Sequence, residues 1–245
     1  MGLGEPGSAG IILIGDEILS GKVVDENARF LIEELRELGV ALRRVTVIPD
    51  VLDEIAATVR DFSERFEHVF TSGGVGPTHD DLTMEGVARA FGARVVRHPE
   101  LEALLRGYYG AKLEDRNLRM AEVPEGAHFV HGDQPTWPVI AMKNVYILPG
   151  IPEIFRRKFK SIRERFRAAP YFLKSVFTSD EEGRIAGELD RVVAAWPRVQ
   201  VGSYPKLDHP EYKVKVTLES KQQADVEAAT ADLVRALGGS VVRVD

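Results

Sequence analysis

The 245-residue sequence predicts an α/β protein, a mostly parallel sheet with helices on both faces followed by a small α+β domain of βαββαβ order. Three observations predict it. Short β-branched runs alternate with segments whose apolar residues recur at helical spacing. A glycine-rich loop leaves one of these runs and enters a helix. The pattern then changes after Ala168-Ala169-Pro170.

The run from Ala9 to Ile14 ends at Gly15 and reads as a strand, after which Val24, Ala28, Leu31, Ile32, Leu35 and Leu38 mark a helix that stops at Gly39. Leu42 to Ile48 is a second strand closed by Pro49-Asp50, and Ile55, Val59, Phe62 and Phe66 line one face of a second helix. His68 to Thr71 is a third strand, and Met84, Val87, Ala88 and Phe91 give the helix beyond its glycine loop. Such alternation implies right-handed crossovers and parallel pairing. Signals weaken from Arg94 to Pro138, where Glu100 to Gly107 reads as helix and Val123-Pro124-Glu125-Gly126 as a turn. Val145 to Leu148 is a buried strand, and the basic segment Ile154 to Phe166 is a helix that closes the first domain.

Beyond Pro170 the order is strand (Phe172 to Thr178), helix (Ile185 to Trp196), strand (Val199 to Tyr204), strand (Tyr212 to Glu219), helix (Ala224 to Leu237) and strand (Val241 to Val244). This is the split-βαβ, ferredoxin-like or KH-like pattern. The expected division is a disordered leader at 1–8, a nucleotide- and phosphate-binding domain at 9–169, and the small domain at 170–245.

Composition narrows the function. A formal net charge of -6 and a pI near 5.6 lack the basic footprint of nucleic-acid binding. The absence of cysteine excludes disulfides, thiolate nucleophiles and thiolate zinc sites. Ile11 to Ile14 is too short an apolar run for a signal-peptide core or a membrane span, so no membrane partner and a cytoplasmic location are expected.

The chemistry concentrates in Thr71-Ser72-Gly73-Gly74-Val75-Gly76-Pro77-Thr78-His79-Asp80-Asp81, where an open parallel sheet places its ligand. Gly73, Gly74 and Gly76 let backbone N–H groups turn toward an anion, and a phosphate is the natural guest. The bland alternative is a tight turn. Two carboxylates, Asp80 and Asp81, beside a phosphate cradle need a cation or proton to offset them, which suggests a divalent metal or a general base, whereas a single aspartate there would read as a helix cap. Asp16 and Glu17 in Gly15-Asp16-Glu17-Ile18-Leu19-Ser20-Gly21, and Asp50 after the second strand, fall along the same carboxyl edge, either as turn residues or as members of one acidic cleft. Pro149-Gly150-Ile151-Pro152 is a rigid turn there that starts a helix or walls the ligand. Trp137 is a core residue or a platform for a flat ring. His79, His98, His128, His131 and His209 show no metal-ligand spacing.

The glycine loop with Asp81-Leu82-Thr83, Gly15-Asp16-Glu17 upstream and Leu148-Pro149-Gly150-Ile151-Pro152 downstream resembles the molybdopterin-binding (MoaB/Mog-like) domain over about residues 9–167. Thr78-His79-Asp80-Asp81-Leu82-Thr83 looks like the CinA branch and the N-terminal domain of eukaryotic FAD synthase. Val201-Gly202-Ser203-Tyr204-Pro205 and Tyr212 to Leu218 resemble the second domain of those proteins. The resemblance implies metal-dependent hydrolysis of a nucleotide pyrophosphate such as ADP-ribose or FAD, with Mg2+, Mn2+ or Co2+. The alternative is a protein that binds or adenylylates molybdopterin. It implies Asp50 and Asp81 as catalytic carboxylates, Asp80 and Asp81 as metal ligands, and Ser72, Gly73, Gly74, Gly76, Thr78, Asp16, Ser20, Gly21, Pro149 and Gly150 as ligand-binding residues. It also implies a homo-oligomer, expected to be a dimer. CinA proteins continue into an amidase domain that is not expected here, and His131 to Pro138 is closer to the FAD synthase variant.

Overall fold

A computed structural model describes residues 5–132 and 137–245. The chain forms two compact units, 1–168 and 169–245. The first strand, β1 (Glu5–Ile14), begins earlier than the sequence suggests. Ser8 is fully buried beside Ala41, and Gly7 N–H donates to the Glu67 carboxylate, so Glu5 to Ser8 belong to the sheet rather than to a leader.

The larger unit continues with a single turn, α1 (Asp16–Leu19), then α2 (Asn27–Glu37), β2 (Ala41–Ile48), α3 (Leu52–Arg65), β3 (Phe66–Ser72) and α4 (Thr83–Ala90). Phe66, expected on a helix face, instead opens β3 directly behind α3, because its backbone is already extended at the helix end. Val24 is 85% exposed and lies ahead of α2, which starts at Asn27 and buries Ala28, Leu31 and Leu35 while Ile32 faces outward.

Next come β4 (Val95–Arg97), α5 (Pro99–Tyr109), α6 (Asp115–Leu118), β5 (Glu122–Pro124), β6 (His128–Val130), β7 (Val139–Met142), β8 (Val145–Leu148) and α7 (Pro152–Ile162), which tightens into a 3-10 turn at Arg163–Phe166. Val123 and Pro124, read as a turn in the sequence, pair with β4 as a two-stranded ribbon, and the turn follows at Gly126 with φ 86°. Three-residue strands are too short to show a period, which is why they were hidden.

The main sheet runs β2-β1-β3-β8-β7-β6. β1, β2, β3 and β8 are parallel, and β7 and β6 extend the sheet antiparallel. Alternate residues of β1 enter opposite cores. Ile12 and Ile14 pack with Ile55, Val59 and Phe62 of α3 on one face, and Ile11 and Leu13 pack with Leu31, Phe155 and Phe159 of α2 and α7 on the other. Each fully buried Phe or Ile contributes roughly 1.5–3 kcal/mol. Strand order reverses between β1 and β3, so the loops that follow them flank the crevice where a doubly wound sheet binds ligands.

The smaller unit is β9 (Phe172–Thr178), α8 (Glu182–Ala195), β10 (Gln200–Pro205), β11 (Val214–Ser220), α9 (Gln223–Leu237) and β12 (Val241–Val244). Its antiparallel sheet order β10-β11-β9-β12 is that of a split βαβ fold, with Val176, Val216 and Leu218 packed beneath Ile185, Val226 and Leu233. Among the described residues no helix is long and apolar enough to cross a membrane.

Candidate functional site

The glycine loop is shaped by steric necessity. Gly73 has φ 104°, and a Cβ there would lie 2.1 Å from the Ile14 carbonyl oxygen; Gly74 has φ 63°, and its Cβ would lie 2.4 Å from Thr83 Oγ1. Only glycine permits both approaches. Thr83, the fully buried first residue of α4, closes the loop: its hydroxyl donates to Gly73 O at 2.8 Å and its amide to Gly74 O at 3.0 Å. Gly73 N–H donates to Leu148 O at 3.2 Å, which ties the loop to β8.

With Gly73 held, the next amides are left over. Among the described residues the N–H groups of Gly74, Val75 and Gly76 donate to no protein acceptor, although all three residues are half-buried. Successive unpartnered amides in a turn form an anion-binding concavity, since buried donors otherwise find partners.

Asp81 folds back into this loop. Its Oδ2 accepts from Thr78 N–H at 2.7 Å and from the Thr78 hydroxyl. Leu82, not Asp81, occupies the N-cap of α4, and it makes no side-chain cap, so Asp81 acts as a brace of the loop rather than as a helix cap. A Cβ on Gly76 would lie 2.6 Å from the same carboxylate oxygen. Asp81 Oδ1 accepts no hydrogen bond among the described residues.

Asp50 stands at the end of β2 and reaches across to β1, accepting from Asp16 N–H at 2.9 Å. Burial pushes its carboxyl above the ordinary value; the Asp16 amide works against this, and the negative charges of Glu17, Asp16 and Asp80 add to it. The exposed Asp80 carboxyl is held below its ordinary value by the Thr78 hydroxyl and by its own amide, with a lesser contribution from His79, whose Nδ1 is 3.8 Å away. The Thr78 hydroxyl has one proton, and its short contact goes to Asp81, so its help to Asp80 is shared.

The structure therefore brings Asp16, Glu17, Asp50 and Asp80 into one electrostatic group and turns Asp81 into the glycine loop. Among the described residues no three His, Asp or Glu side chains form a ready metal cage. The hard oxygen donors of Asp50, Asp80 and Asp81 suit Mg2+, which takes one or two carboxylates and completes its shell with phosphate oxygens and water.

The remaining sequence-derived residues divide in two. Ser72 and Gly150 lie at the crevice but face protein: the buried Ser72 hydroxyl and the Gly150 carbonyl both accept from Asn27 Nδ2, at 2.9 and 2.7 Å. Gly150 also passes close to Gly73, with 3.4 Å between its ideal Cβ and Gly73 Cα, and Pro149 is half-buried beside it. Ser20 and Gly21 are exposed at the end of α1, and their hydrogen bonds are local: Ser20 Oγ to Glu17 O and Gly21 N to Ile18 O. Trp137 is partly buried against the core of the α3–α4 face; the adjoining 133–136 stretch lies outside the described residues.

Two residues escaped the sequence reading. Asn27, only 3% exposed, is joined to Ser72 and Gly150 across 45 and 123 positions, and no local pattern announces that. Arg119 donates from Nη1 to Thr78 O at 2.9 Å and to Pro77 O at 3.4 Å, latching the segment before β5 onto the glycine loop. A lone arginine in a polar stretch carries no signal of such a role.

Comparison with known proteins places this geometry among relatives. Residues 10–168 match the family described as "Probable molybdopterin binding domain", and residues 170–245 match "FAD synthase, middle domain". A "Probable FAD synthase" of Caenorhabditis elegans is 31% identical over 97% of this chain and 51% of its own length, so the chain spans about half of that relative. An Archaeoglobus fulgidus protein is 35% identical over 89% of this chain and 93% of its own. Among solved structures, the protein CinA of unknown function from Thermoplasma acidophilum is 34% identical, with a TM-score of 0.59 over 65% of this chain and 97% of that one.

Proposed function

We propose, from the premise that this chain belongs to the molybdopterin-binding domain family, that it hydrolyses a nucleotide pyrophosphate of the ADP-ribose or FAD type. The observation that carries the reading is the row of unpartnered amides at Gly74, Val75 and Gly76 beside the carboxylate group of Asp16, Glu17, Asp50 and Asp80.

The loop amides would bind the non-bridging oxygens of the phosphates and stabilise the charge that develops there during attack. Asp50, whose proton affinity is raised above that of an ordinary carboxylate, would accept the proton of the attacking water; the new P–O bond forms as the bridging P–O bond breaks and the second phosphate leaves. Asp81 fixes the loop through Thr78 and keeps Oδ1 available for an ion or water. A divalent ion (Mg2+, or Mn2+ or Co2+) held by Asp81 with Asp50 or Asp80 supplies, when bound, polarisation of the anhydride and a more acidic water. We place the protein in the cytoplasm as a homodimer that acts on small molecules rather than on nucleic acid.

The test is product analysis of ADP-ribose, FAD and NAD with each metal, a chelator, and Asp81→Asn. Metal-dependent AMP release, abolished by chelator and by a folded Asp81→Asn variant, supports the assignment. Full activity of that variant refutes its role. The family description also favours a second reading, binding or adenylylation of molybdopterin; absence of cleavage with saturable pterin binding would select it.

A further inference from the structure

Away from the crevice, α5 (Pro99–Tyr109) seats Leu101 and Leu105 in the core and turns its other side outward. At helical spacing Glu100, Ala103, Leu104, Gly107 and Tyr108 share one exposed face. Two large apolar side chains stand on it one turn apart, Leu104 at 41% and Tyr108 at 83% exposure. Tyr108 is held in place all the same: its ring meets Tyr109 edge-on with centroids 4.9 Å apart, and Tyr109 packs on the core. A bulky ring already fixed on the surface loses little conformational freedom when another molecule covers it.

Between these knobs lies Gly107. A glycine inside a helix lowers its stability relative to alanine. The chain's own packing gives no reason for one here: Gly110, with φ 51°, supplies the left-handed turn that ends the helix, and a Cβ at Gly107 would meet nothing within 4 Å. With Ala103 one turn earlier, Gly107 leaves a shallow seat beside Leu104 and Tyr108. Opposite charges mark the two ends of the face. Glu100 lies in the first turn, with only His131 near its carboxylate, at 3.8 Å. Lys112, in the 3-10 turn Gly110–Lys112, has no carboxylate partner among the described residues.

We infer that α5 is a self-association surface, on which α5 of a second copy of this chain lies antiparallel across a two-fold axis near Leu105 and Arg106. In that register Leu104 enters the seat at Gly107 of the partner subunit, Tyr108 covers Ala103 of the partner subunit, and Glu100 reaches Lys112 of the partner subunit. A parallel pairing would instead set Glu100 against its own copy and Tyr108 against its own copy. The same patch serves both subunits, so the assembly closes at two. The inference rests on the homodimer reading above and names the face that makes it. The two tyrosine rings bury roughly 150–250 Å² each. Even with two leucines the contact stays below the roughly 1,200 Å² of a standard interface, so the dimer is weak and depends on concentration.

The experiment is sedimentation equilibrium of the full chain from low micromolar to near-millimolar concentration. The wild type passes from monomer to dimer across that range. Tyr108→Ala, which removes an exposed ring and leaves the core intact, weakens association about tenfold. Gly107→Leu fills the seat: it raises the Tm of the diluted monomer by about 1–3 °C through better helix propensity, yet weakens association about tenfold. Glu100→Lys and Lys112→Glu each weaken it about fivefold, because like charges then face each other twice per dimer, and the double variant restores it. Loss without rescue in the double variant overturns the antiparallel pairing. A dimer that Tyr108→Ala and Gly107→Leu leave unchanged overturns this surface and spares the homodimer reading, whereas a chain that stays monomeric throughout overturns both.

Discussion

The side-chain amide of Asn27 donates to the carbonyl oxygen of Gly150 at 2.7 Å, and the same nitrogen donates to Ser72 Oγ at 2.9 Å. One buried amide thereby joins the start of α2, the end of β3 and the turn into α7. Those three segments carry the crevice.

Removing that donor leaves the buried Ser72 hydroxyl and the Gly150 carbonyl without it. Asn27→Ala is expected to lower unfolding free energy by about 1–3 kcal/mol, and Asn27→Asp to cost a similar amount because a carboxylate repels the Gly150 carbonyl. Urea unfolding measures the first effect. A weaker pyrophosphate affinity in the folded fraction of either variant would report the loosened loop.

Gly73 and Gly92 separate clash from backbone strain. Both have positive φ, but a Cβ at Gly73 meets the Ile14 carbonyl, whereas at Gly92 it meets nothing within 4 Å. Gly92→Ala should cost about 1 kcal/mol, the price of the left-handed conformation alone. Gly73→Ala should cost clearly more and abolish anion binding, because the loop must move. Equal denaturant midpoints for the two variants would contradict the loop geometry.

Asp50 predicts a pH dependence. Its folded carboxyl is raised above the unfolded value, so ionisation opposes folding, and stability is lost as pH rises from the unfolded value through the folded one. Asp50→Asn keeps an acceptor for the Asp16 amide and has no charge to ionise. It should be slightly more stable than the wild type near pH 7, by about 0.5 kcal/mol or less because water screens the site, and the advantage should vanish in acid below the usual carboxylate range. Thermal melts from pH 3 to 8 give the comparison, and turnover should fall at the same time.

Lys158 on α7 behaves in the opposite sense. Burial, with Arg157 adding to it, lowers its ammonium to about 8, and Nζ donates to the Trp137 and Pro138 carbonyls at 2.9 Å each. The unfolded chain therefore binds more protons between about pH 8 and the ordinary lysine value of 10.5, and the wild type gains stability across that window. Relative to Lys158→Met, the gain should be between about 1 and 3 kcal/mol. A flat difference between the two proteins would place this ammonium in water.

Much of the architecture is written locally. The turn residues after β1, β2, β3 and β8, the helical spacing of Leu31, Leu35, Ile55 and Val59, and the strand and helix order beyond Pro170 are short-range features that read directly as a parallel sheet and a split βαβ unit. The glycine loop was equally legible, because positive φ at Gly73 and Gly74 restricts the residue type itself. What the sequence could not convey is how distant segments meet. Ser72 turns to Asn27 instead of the crevice, Asp80 joins Asp50 while Asp81 braces Thr78, and Arg119 latches onto the loop from a stretch with no visible pattern. Backbone propensity and periodicity act over a few residues, whereas the partner of a carboxylate, an amide or a guanidinium is whichever group the closed sheet delivers to it, and only tertiary packing makes that choice.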